Sequence, residues 1–225
     1  MKINMDQKIF EAVDRYISDL FIPPDESLAA AEQSHSLENI PQINVSPNLG
    51  KLLYLFARLS KAKKILEVGT LAGYSTIWMA KALPEDGRLV SLEIDPHHAE
   101  VARKNIDRAG LSSKVEIRVG KAIDLLPELV DEKAGPFDMI FIDADKPPYT
   151  EYFEWSLKLS SSGTLIIADN VIRDGKVLDQ NQEDPMVKGA QRFNNALAAN
   201  RNVSATILQT IGVKEYDGMA IAIVE

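Results

Sequence analysis

The chain has 225 residues, enough for one sizeable domain, and its 45% hydrophobic and 26% charged residues are ordinary for a globular protein. A formal net charge of −8 argues against a nucleic-acid partner, because phosphate backbones are bound by clustered lysine and arginine. Cysteine is absent, which excludes disulfides, thiolate nucleophiles and cysteine-ligated zinc. We find no apolar run long enough to cross a membrane and no signal peptide in the polar segment 1–8, so we expect a cytoplasmic protein.

Three helices are predicted before the first strand. Apolar residues recur at helical spacing over Gln7–Leu20, a second helix fits Ser27–Ser36, and Leu49–Leu59 is amphipathic. No composition shift or repeat marks a boundary between domains. We therefore expect a single domain with a helical cap at 1–60 and an α/β core at 61–225.

Strands and helices alternate strictly in the middle of the chain. The predicted strands are Lys64–Val68, Arg88–Glu93, Val115–Val119, Phe137–Asp143 and Thr164–Ala168. The predicted helices between them are Tyr74–Leu83, Pro96–Ala109, Ala122–Val130 and Tyr149–Leu159. Such alternation predicts right-handed crossovers and a parallel sheet with helices on both faces.

The C-terminal part departs from this alternation. A helix at Pro185–Ala199 is followed by two strands, Val203–Gln209 and Gly218–Val224, with a polar loop between them. Two strands without an intervening helix pair antiparallel, so we expect a hairpin at the sheet edge. A seven-stranded, mostly parallel sheet with such a hairpin resembles the Rossmann-like fold of class I methyltransferases.

The turn after the first strand indicates a bound nucleoside. Glu67 and Gly69 end that strand, the turn continues to Gly73 where a helix begins, and Glu93 closes the second strand. Glycines allow close approach of the backbone to a ligand, and a carboxylate at the second strand accepts hydrogen bonds from ribose hydroxyls. The alternative is that both glutamates are merely polar strand ends beside ordinary turn glycines.

The middle of this turn distinguishes between cofactors. A dinucleotide fingerprint requires a central glycine where the backbone meets the pyrophosphate, and this chain has Leu71 there. Ser75, near the start of the next helix, can donate to the carboxylate of an amino-acid-bearing cofactor, which the helix dipole also favours. The pattern therefore favours S-adenosylmethionine and disfavours a nicotinamide oxidoreductase.

A second polar group follows the fourth and fifth strands. Asp143 and Asp145 come after one apolar run, and Asp169 and Asn170 come after the next. The carboxyl ends of parallel strands share the ligand-binding edge of an open α/β sheet. Two carboxylates and an amide oxygen suit Mg²⁺ as first choice, with Mn²⁺ or Ca²⁺ as alternatives. The simpler interpretation is that these acids cap the loops that follow them.

Together these motifs resemble the cation-dependent O-methyltransferases of the caffeoyl-CoA and catechol type. The matching stretches are Glu67–Ser75, Phe137–Lys146 with Tyr149, and Asp169–Gly175. The resemblance implies that Asp143, Asp169 and Asn170 ligate the cation. The residues that it implies for the S-adenosylmethionine site are Val45, Glu67, Gly69, Thr70, Ser75, Glu93, Ala122 and Asp145.

The same resemblance implies a reaction and a partner. Two vicinal hydroxyls of a catechol-like small molecule, such as a hydroxycinnamate or its CoA ester, would chelate the cation. With Asp143 as the second catalytic residue, Lys146 would take the proton from the hydroxyl that attacks the sulfonium methyl in line. Without the resemblance, the alternative is that Lys146 is a solvated lysine at a helix start. The N-terminal helices would cover the site and contribute to a homodimer.

Three alternatives remain open from the sequence. A methyltransferase of the same fold that acts on RNA or protein would use these acids without a metal, and a non-catalytic protein would bind S-adenosylmethionine without turnover. The third concerns Arg173, which stands where relatives often have an aromatic residue. A solvated loop arginine is the favoured interpretation there, and contact with an anionic acceptor is the alternative.

Overall fold

The computed structural model describes residues 7–225, so part of the polar N-terminal segment used in the signal-peptide argument lies outside the described residues. The strands are β1 (Lys64–Val68), β2 (Arg88–Glu93), β3 (Val115–Val119), β4 (Met139–Ile142), β5 (Leu165–Ala168), β6 (Val203–Gly212) and β7 (Glu215–Val224). They form one seven-stranded sheet in the order β3-β2-β1-β4-β5-β7-β6. The first five strands are parallel, and β7 pairs antiparallel with both β5 and β6.

The predicted sheet and C-terminal hairpin are confirmed, but the predicted polar loop within the hairpin is wrong. The ladder between β6 and β7 continues to the pair Gly212 and Glu215, which leaves only Val213 and Lys214 as the turn. Thr210 and Ile211 are β-branched and favour an extended backbone, so the strand continues beyond the predicted end. The hairpin therefore projects further from the sheet than the polar composition suggests.

Helices cover both faces of the sheet. They are α1 (Gln7–Phe21), α2 (Glu26–Leu37), α3 (Pro47–Leu59), α4 (Tyr74–Ala82), α5 (Pro96–Arg108), α6 (Ala122–Asp131), α7 (Tyr149–Lys158) and α8 (Pro185–Ala199). Side chains from α2 to α5 form one core layer with Ile65, and those from α6 to α8 form the other with Leu66. Successive strand residues point to opposite faces, so a buried strand such as β1 supplies both layers.

Local capping explains where several helices begin. The Ser46 hydroxyl accepts a hydrogen bond from the Leu49 amide, and Pro47 occupies the first turn, so α3 starts earlier than predicted. Asp95 and Asp184 cap α5 and α8 in the same way, each followed by a proline. Because of these caps, each loop at the carboxyl edge of the sheet ends at a defined residue, where the next helix begins.

The N-terminal helices lie beside the sheet and the hairpin. Among the described residues α1 buries no side chain, yet its Asp14 accepts hydrogen bonds from Asn48 and from the Val213 amide at the hairpin turn. The division into a cap at 1–60 and a core at 61–225 stays a prediction. Within residues 7–225, no helix is both long and apolar enough to span a bilayer.

Candidate active site

A cleft of about 1320 Å³ lies at the carboxyl ends of β1, β2, β4 and β5. Loops from the core, the N-terminal helices and the C-terminal hairpin all contribute to its walls. The predicted site residues that line it are Val45, Gly69, Thr70, Ser75, Glu93, Ala122, Asp143, Asp145, Lys146, Asp169 and Asn170. Glu67 is the one predicted site residue that is not at the cleft surface.

The glycine turn and Glu93 form one wall of the cleft. Glu93 is buried, and its Oε2 accepts hydrogen bonds from the amides of Thr70 (3.1 Å) and Leu71 (2.7 Å). Its Oε1 accepts from the Asp95 amide, so this carboxylate joins the loops after β1 and β2. Oε2 thus uses both of its lone pairs, whereas Oε1 accepts one bond and keeps acceptor capacity for a ligand hydroxyl.

Gly69 brings this wall against the tip of β4. Its φ of +99° is left-handed, and a Cβ at this position would lie 2.1 Å from the carbonyl oxygen of Asp143. Only glycine satisfies both conditions. The nucleoside-type turn and the acidic strand tip are therefore in direct backbone contact.

Glu67 lies beneath the turn, fully buried, rather than at the cofactor surface where it was expected. Its carboxylate accepts hydrogen bonds from the hydroxyls of Ser75 (2.6 Å), Thr76 (2.5 Å) and Ser91 (2.6 Å). Burial raises the pKa of Glu67 to about 7, although the three hydroxyls lower it in part. The Ser75 proton that was predicted to meet a ligand carboxylate is directed to Glu67 instead.

Lys146 is almost completely buried at the other wall. Its ammonium donates to Asp143 Oδ1 (3.2 Å), to the Ala144 carbonyl (2.9 Å) and to the Tyr149 hydroxyl (2.5 Å). The alternative of a solvated lysine is therefore wrong. Three acceptors match the three protons of the ammonium, so its position is fixed.

Tyr149 is the residue whose role sequence reasoning missed. The Tyr149 hydroxyl lies 3.2 Å from the carbonyl oxygens of both Ile142 and Asp169, at the tips of β4 and β5, and also contacts Lys146. Its ring is fully buried against Phe193. The signal was present, since Tyr149 belongs to a matching stretch, but nothing in the sequence shows that its hydroxyl joins two strands.

Asp169 and Asn170 complete this wall. Asp169 is 4% exposed, and its Oδ1 accepts from the Asn170 amide at 2.8 Å. Burial and the nearby charge of Asp143 raise the pKa of Asp169 to about 7. A buried carboxylate beside a second one is an environment that a cation stabilises, so the set of Asp143, Asp169 and Asn170 fits a hard divalent ion.

That set contains only two carboxylates. In the part of the chain that the structure describes, no three His, Cys, Asp or Glu side chains come together as a metal cluster. An ion held by Asp143, Asp169 and Asn170 therefore needs further oxygen ligands from water or substrate, as Mg²⁺ sites commonly have.

Asp145, after β4, and Ala122, after β3, also line the cleft. Asp145 Oδ1 accepts a hydrogen bond from the Tyr152 hydroxyl at 2.8 Å, and Ala122 begins α6. Val45 is buried in the loop before α3, at the opposite wall. The structure thus brings together residues from six separate segments.

The sheet order, the turn at Gly69 and the acid at the end of β2 define a class I methyltransferase. The family model described as O-methyltransferase matches residues 24–223. A catechol O-methyltransferase of Niastella koreensis is 68% identical over 98% of this chain and 100% of its own length, and one of Mycobacterium tuberculosis is 42% identical over 94% of each. The crystal structure of an O-methyltransferase from Bacillus cereus in complex with SAH superposes with a TM-score of 0.96, with 50% identity over 98% of this chain and 100% of that one.

The chain therefore belongs to the O-methyltransferase family, within the class I S-adenosylmethionine-dependent enzymes of the catechol and caffeoyl-CoA type. Membership of this family makes the chain an enzyme. The alternatives of a nicotinamide oxidoreductase and of a non-catalytic binding protein are thereby wrong.

Replacing Glu67 by glutamine is predicted to change how stability depends on pH. The pKa of Glu67 is about 7 in the folded state against an ordinary value of 4.5, so between these values the folded protein binds more protons than the unfolded one. The contribution of the protonated Glu67 side chain to the free energy of unfolding is complete below pH 4.5 and is lost as the pH rises towards 7. Each pKa unit corresponds to about 1.4 kcal/mol.

Urea unfolding of the wild type and of Glu67→Gln at several pH values measures this effect. We expect the stability of the variant relative to the wild type to increase by about 1–3 kcal/mol between pH 5 and pH 7. The raised pKa of Asp169 changes the stability of both proteins with pH in the same direction, so its effect cancels when the two stabilities are subtracted. A difference that is independent of pH would contradict the raised pKa.

Replacing Tyr149 by phenylalanine is predicted to lower both stability and turnover. The variant leaves Lys146 and two strand-tip carbonyls without this partner, and a buried group left unpaired costs about 1–3 kcal/mol. We expect kcat to fall by roughly tenfold because Lys146 is no longer fixed. Tyr54→Phe is the matched control, since Tyr54 lies outside the cleft and its hydroxyl accepts only a long hydrogen bond, 3.5 Å from the exposed Arg58. Equal effects of the two substitutions on unfolding and kcat would refute this role.

Proposed function

We propose that this enzyme transfers the methyl group of S-adenosylmethionine to one hydroxyl of a catechol-like small molecule, and that a divalent cation, Mg²⁺ as first choice, is required. The acceptor would be a hydroxycinnamate, its CoA ester or a related vicinal diol. The observation that carries this proposal is the backbone contact between Gly69 and Asp143, which joins the donor-type turn to the acidic strand tip in one cleft.

The donor would lie along the turn after β1 and the tip of β2. Glu93 is proposed to accept from the ribose hydroxyls, with Gly69 and Thr70 at the turn. Ala122 and Asp145 would flank the nucleoside, and Val45 would close the entrance. Glu67 is proposed to act from below, by orienting Ser75 through their 2.6 Å hydrogen bond.

The acceptor would lie at the tips of β4 and β5. Asp143, Asp169 and Asn170 are proposed to hold the cation, with the two hydroxyls of the acceptor among its remaining ligands. When bound, the cation lowers the pKa of those hydroxyls and stabilises the phenolate. The raised pKa of Asp169, caused by burial and by Asp143, is the observation in this chain that supports such a ligand set.

Lys146 is proposed to receive the proton of the reacting hydroxyl. A general base of this kind acts through the lone pair of the neutral amine. The oxygen then forms a bond to the methyl carbon as the carbon–sulfur bond breaks, and S-adenosylhomocysteine leaves. Tyr149 and the Ala144 carbonyl keep the Lys146 amine in place throughout.

The reaction is tested with labelled S-adenosylmethionine and a panel of catechols, in Mg²⁺ or in EDTA. We expect methylation of a vicinal diol that depends on the metal and falls by at least about 100-fold in Asp143→Ala and Asp169→Ala. Asp138→Ala is the control, because Asp138 accepts from the Lys63 and Lys64 amides, away from the cleft. Full activity in EDTA would contradict the cation requirement.

We extend the proposal to a cytoplasmic homodimer. The absence of cysteine suits a reducing compartment. A stripe along α1, formed by Ile9, Val13, Tyr16 and Leu20, is 49–64% exposed although these residues repeat at helical spacing. An apolar stripe of this kind is typical of a face that a second copy covers.

Light scattering measures the oligomeric state directly. We expect the wild type to have the mass of two chains and Leu20→Glu to have the mass of one, since a charge in the apolar stripe opposes association. Leu178→Glu is the control, because Leu178 is 84% exposed and lies outside α1. A monomeric wild type at micromolar concentration would refute the dimer.

A further inference from the structure

The cleft has a second polar region beyond the proposed cation site. We call it the acceptor end, and it is lined by Asp14, the loop 42–46, the pair Arg173 and Asp174, and the hairpin residues 209–212, 214, 216 and 217. Two cationic side chains line it, Arg173 from the loop after β5 and Lys214 from the hairpin turn. Neither forms an ion pair with any described residue.

Arg173 is held in an unusual backbone conformation. Its φ is +54°, a left-handed value that costs a residue with a side chain about 1–2 kcal/mol. Asp217 Oδ1 offsets this cost by accepting hydrogen bonds from the amides of Ile172 and Arg173, each at 2.9 Å. The two hydrogen bonds to Asp217 of β7 thus fix the direction in which the Arg173 side chain leaves the backbone.

The Arg173 side chain is half-buried, and its guanidinium has no hydrogen-bond or ion-pair partner among the described residues. Its Nε is buried, and no described residue accepts a hydrogen bond from it. A buried donor without an acceptor costs free energy, more so when the group is charged. The enclosed Nε distinguishes this half-buried side chain from the fully solvated loop arginine favoured from the sequence.

Lys214 is the second cation at this end. Within the described part of the chain its ammonium donates only to the Gln42 carbonyl, at 3.3 Å, which leaves two of its three protons available. Gln42 belongs to the loop before α3, so Lys214 lies between the hairpin turn and the N-terminal helices. Both cations therefore belong to segments other than those proposed to form the donor site.

The carboxylates at the acceptor end are already engaged. Asp217 accepts three backbone amides, Asp14 accepts from Asn48 and the Val213 amide, and Asp174 pairs with Lys176. The acidic groups of this region are satisfied within the protein while its two cations are not. This asymmetry favours an anionic ligand in an otherwise acidic protein.

We propose that the acceptor end binds a carboxylate of the acceptor molecule, with Arg173 as its main partner and Lys214 as the second. The preferred substrates are then vicinal diols on a ring that also bears a free carboxylate. This inference rests on the proposed function, since it assumes that the diol lies at Asp143, Asp169 and Asn170. A guanidinium binds a carboxylate through two parallel hydrogen bonds, which fixes the ring as well as attracting it.

Two probes that differ only in charge test this proposal. They are 3,4-dihydroxybenzoate and its neutral amide, 3,4-dihydroxybenzamide, compared by kcat/KM for methylation and by calorimetric Kd with Mg²⁺ and S-adenosylhomocysteine present. The variants are Arg173→Gln and Lys214→Gln, with Arg201→Gln as the control, because Arg201 is exposed and lies outside the cleft.

We expect the wild type and Arg201→Gln to prefer the benzoate by roughly tenfold or more in both measurements, as a charge-assisted pair implies. Arg173→Gln should reduce this preference to near unity, and Lys214→Gln should reduce it in part. A wild type that binds both probes equally, or an Arg173→Gln variant that weakens both equally, would overturn the inference.

Two further outcomes separate this inference from the proposed function. If the benzoate binds preferentially and the preference depends on Arg173, yet neither probe is methylated, the proposed reaction fails and the carboxylate site stands. If the CoA thioester of a dihydroxycinnamate is preferred over the free acid through Arg173, the cations serve phosphates, and the carboxylate assignment is wrong.

Discussion

The close approach of three neighbouring strand tips is the constraint on which the site depends. Gly69 leaves no room for a side chain between its turn and the Asp143 carbonyl, and the Tyr149 hydroxyl joins the carbonyls of Ile142 and Asp169. These contacts fix the turn proposed to face the methyl donor relative to the acids proposed to face the acceptor. Methyl transfer gains much of its rate from such orientation, so the packing beneath the cleft matters as much as the residues at its surface.

Burying acids at this edge of the sheet costs free energy. A ligand that stabilises their charged form can offset part of that cost. Glu67 and Asp169 are both buried, and burial raises each pKa to about 7. Glu67 is stabilised by three hydroxyls, whereas Asp169 has the amide of Asn170 and the charge of Lys146 nearby. The two acids therefore differ in role: Glu67 holds the turn in shape, whereas Asp169 lies where the cation is proposed to bind.

The sequence predicts the strands and the residues of the cleft well, because a parallel sheet places polar strand ends at one edge whatever the details of packing. It does not predict which way a side chain at that edge points. Glu67 ends a strand as Glu93 does, yet Ser75, Thr76 and Ser91 surround it beneath the turn. For a similar reason the sequence predicts too short a hairpin. The polar residues predicted to form its loop instead continue the hydrogen-bonded ladder between β6 and β7. Likewise, nothing in the sequence around Arg173 shows that its Nε is enclosed.

A crystal structure with Mn²⁺, S-adenosylhomocysteine and a vicinal diol, measured at the manganese absorption edge, tests the central claim most directly. The account predicts one anomalous peak bounded by Asp143, Asp169 and Asn170, with both diol oxygens as ligands. It also predicts that the ribose hydroxyls of the cofactor contact Glu93, so that donor and acceptor share the cleft. A diol bound with no anomalous peak beside it, or a peak away from these three side chains, would contradict the account.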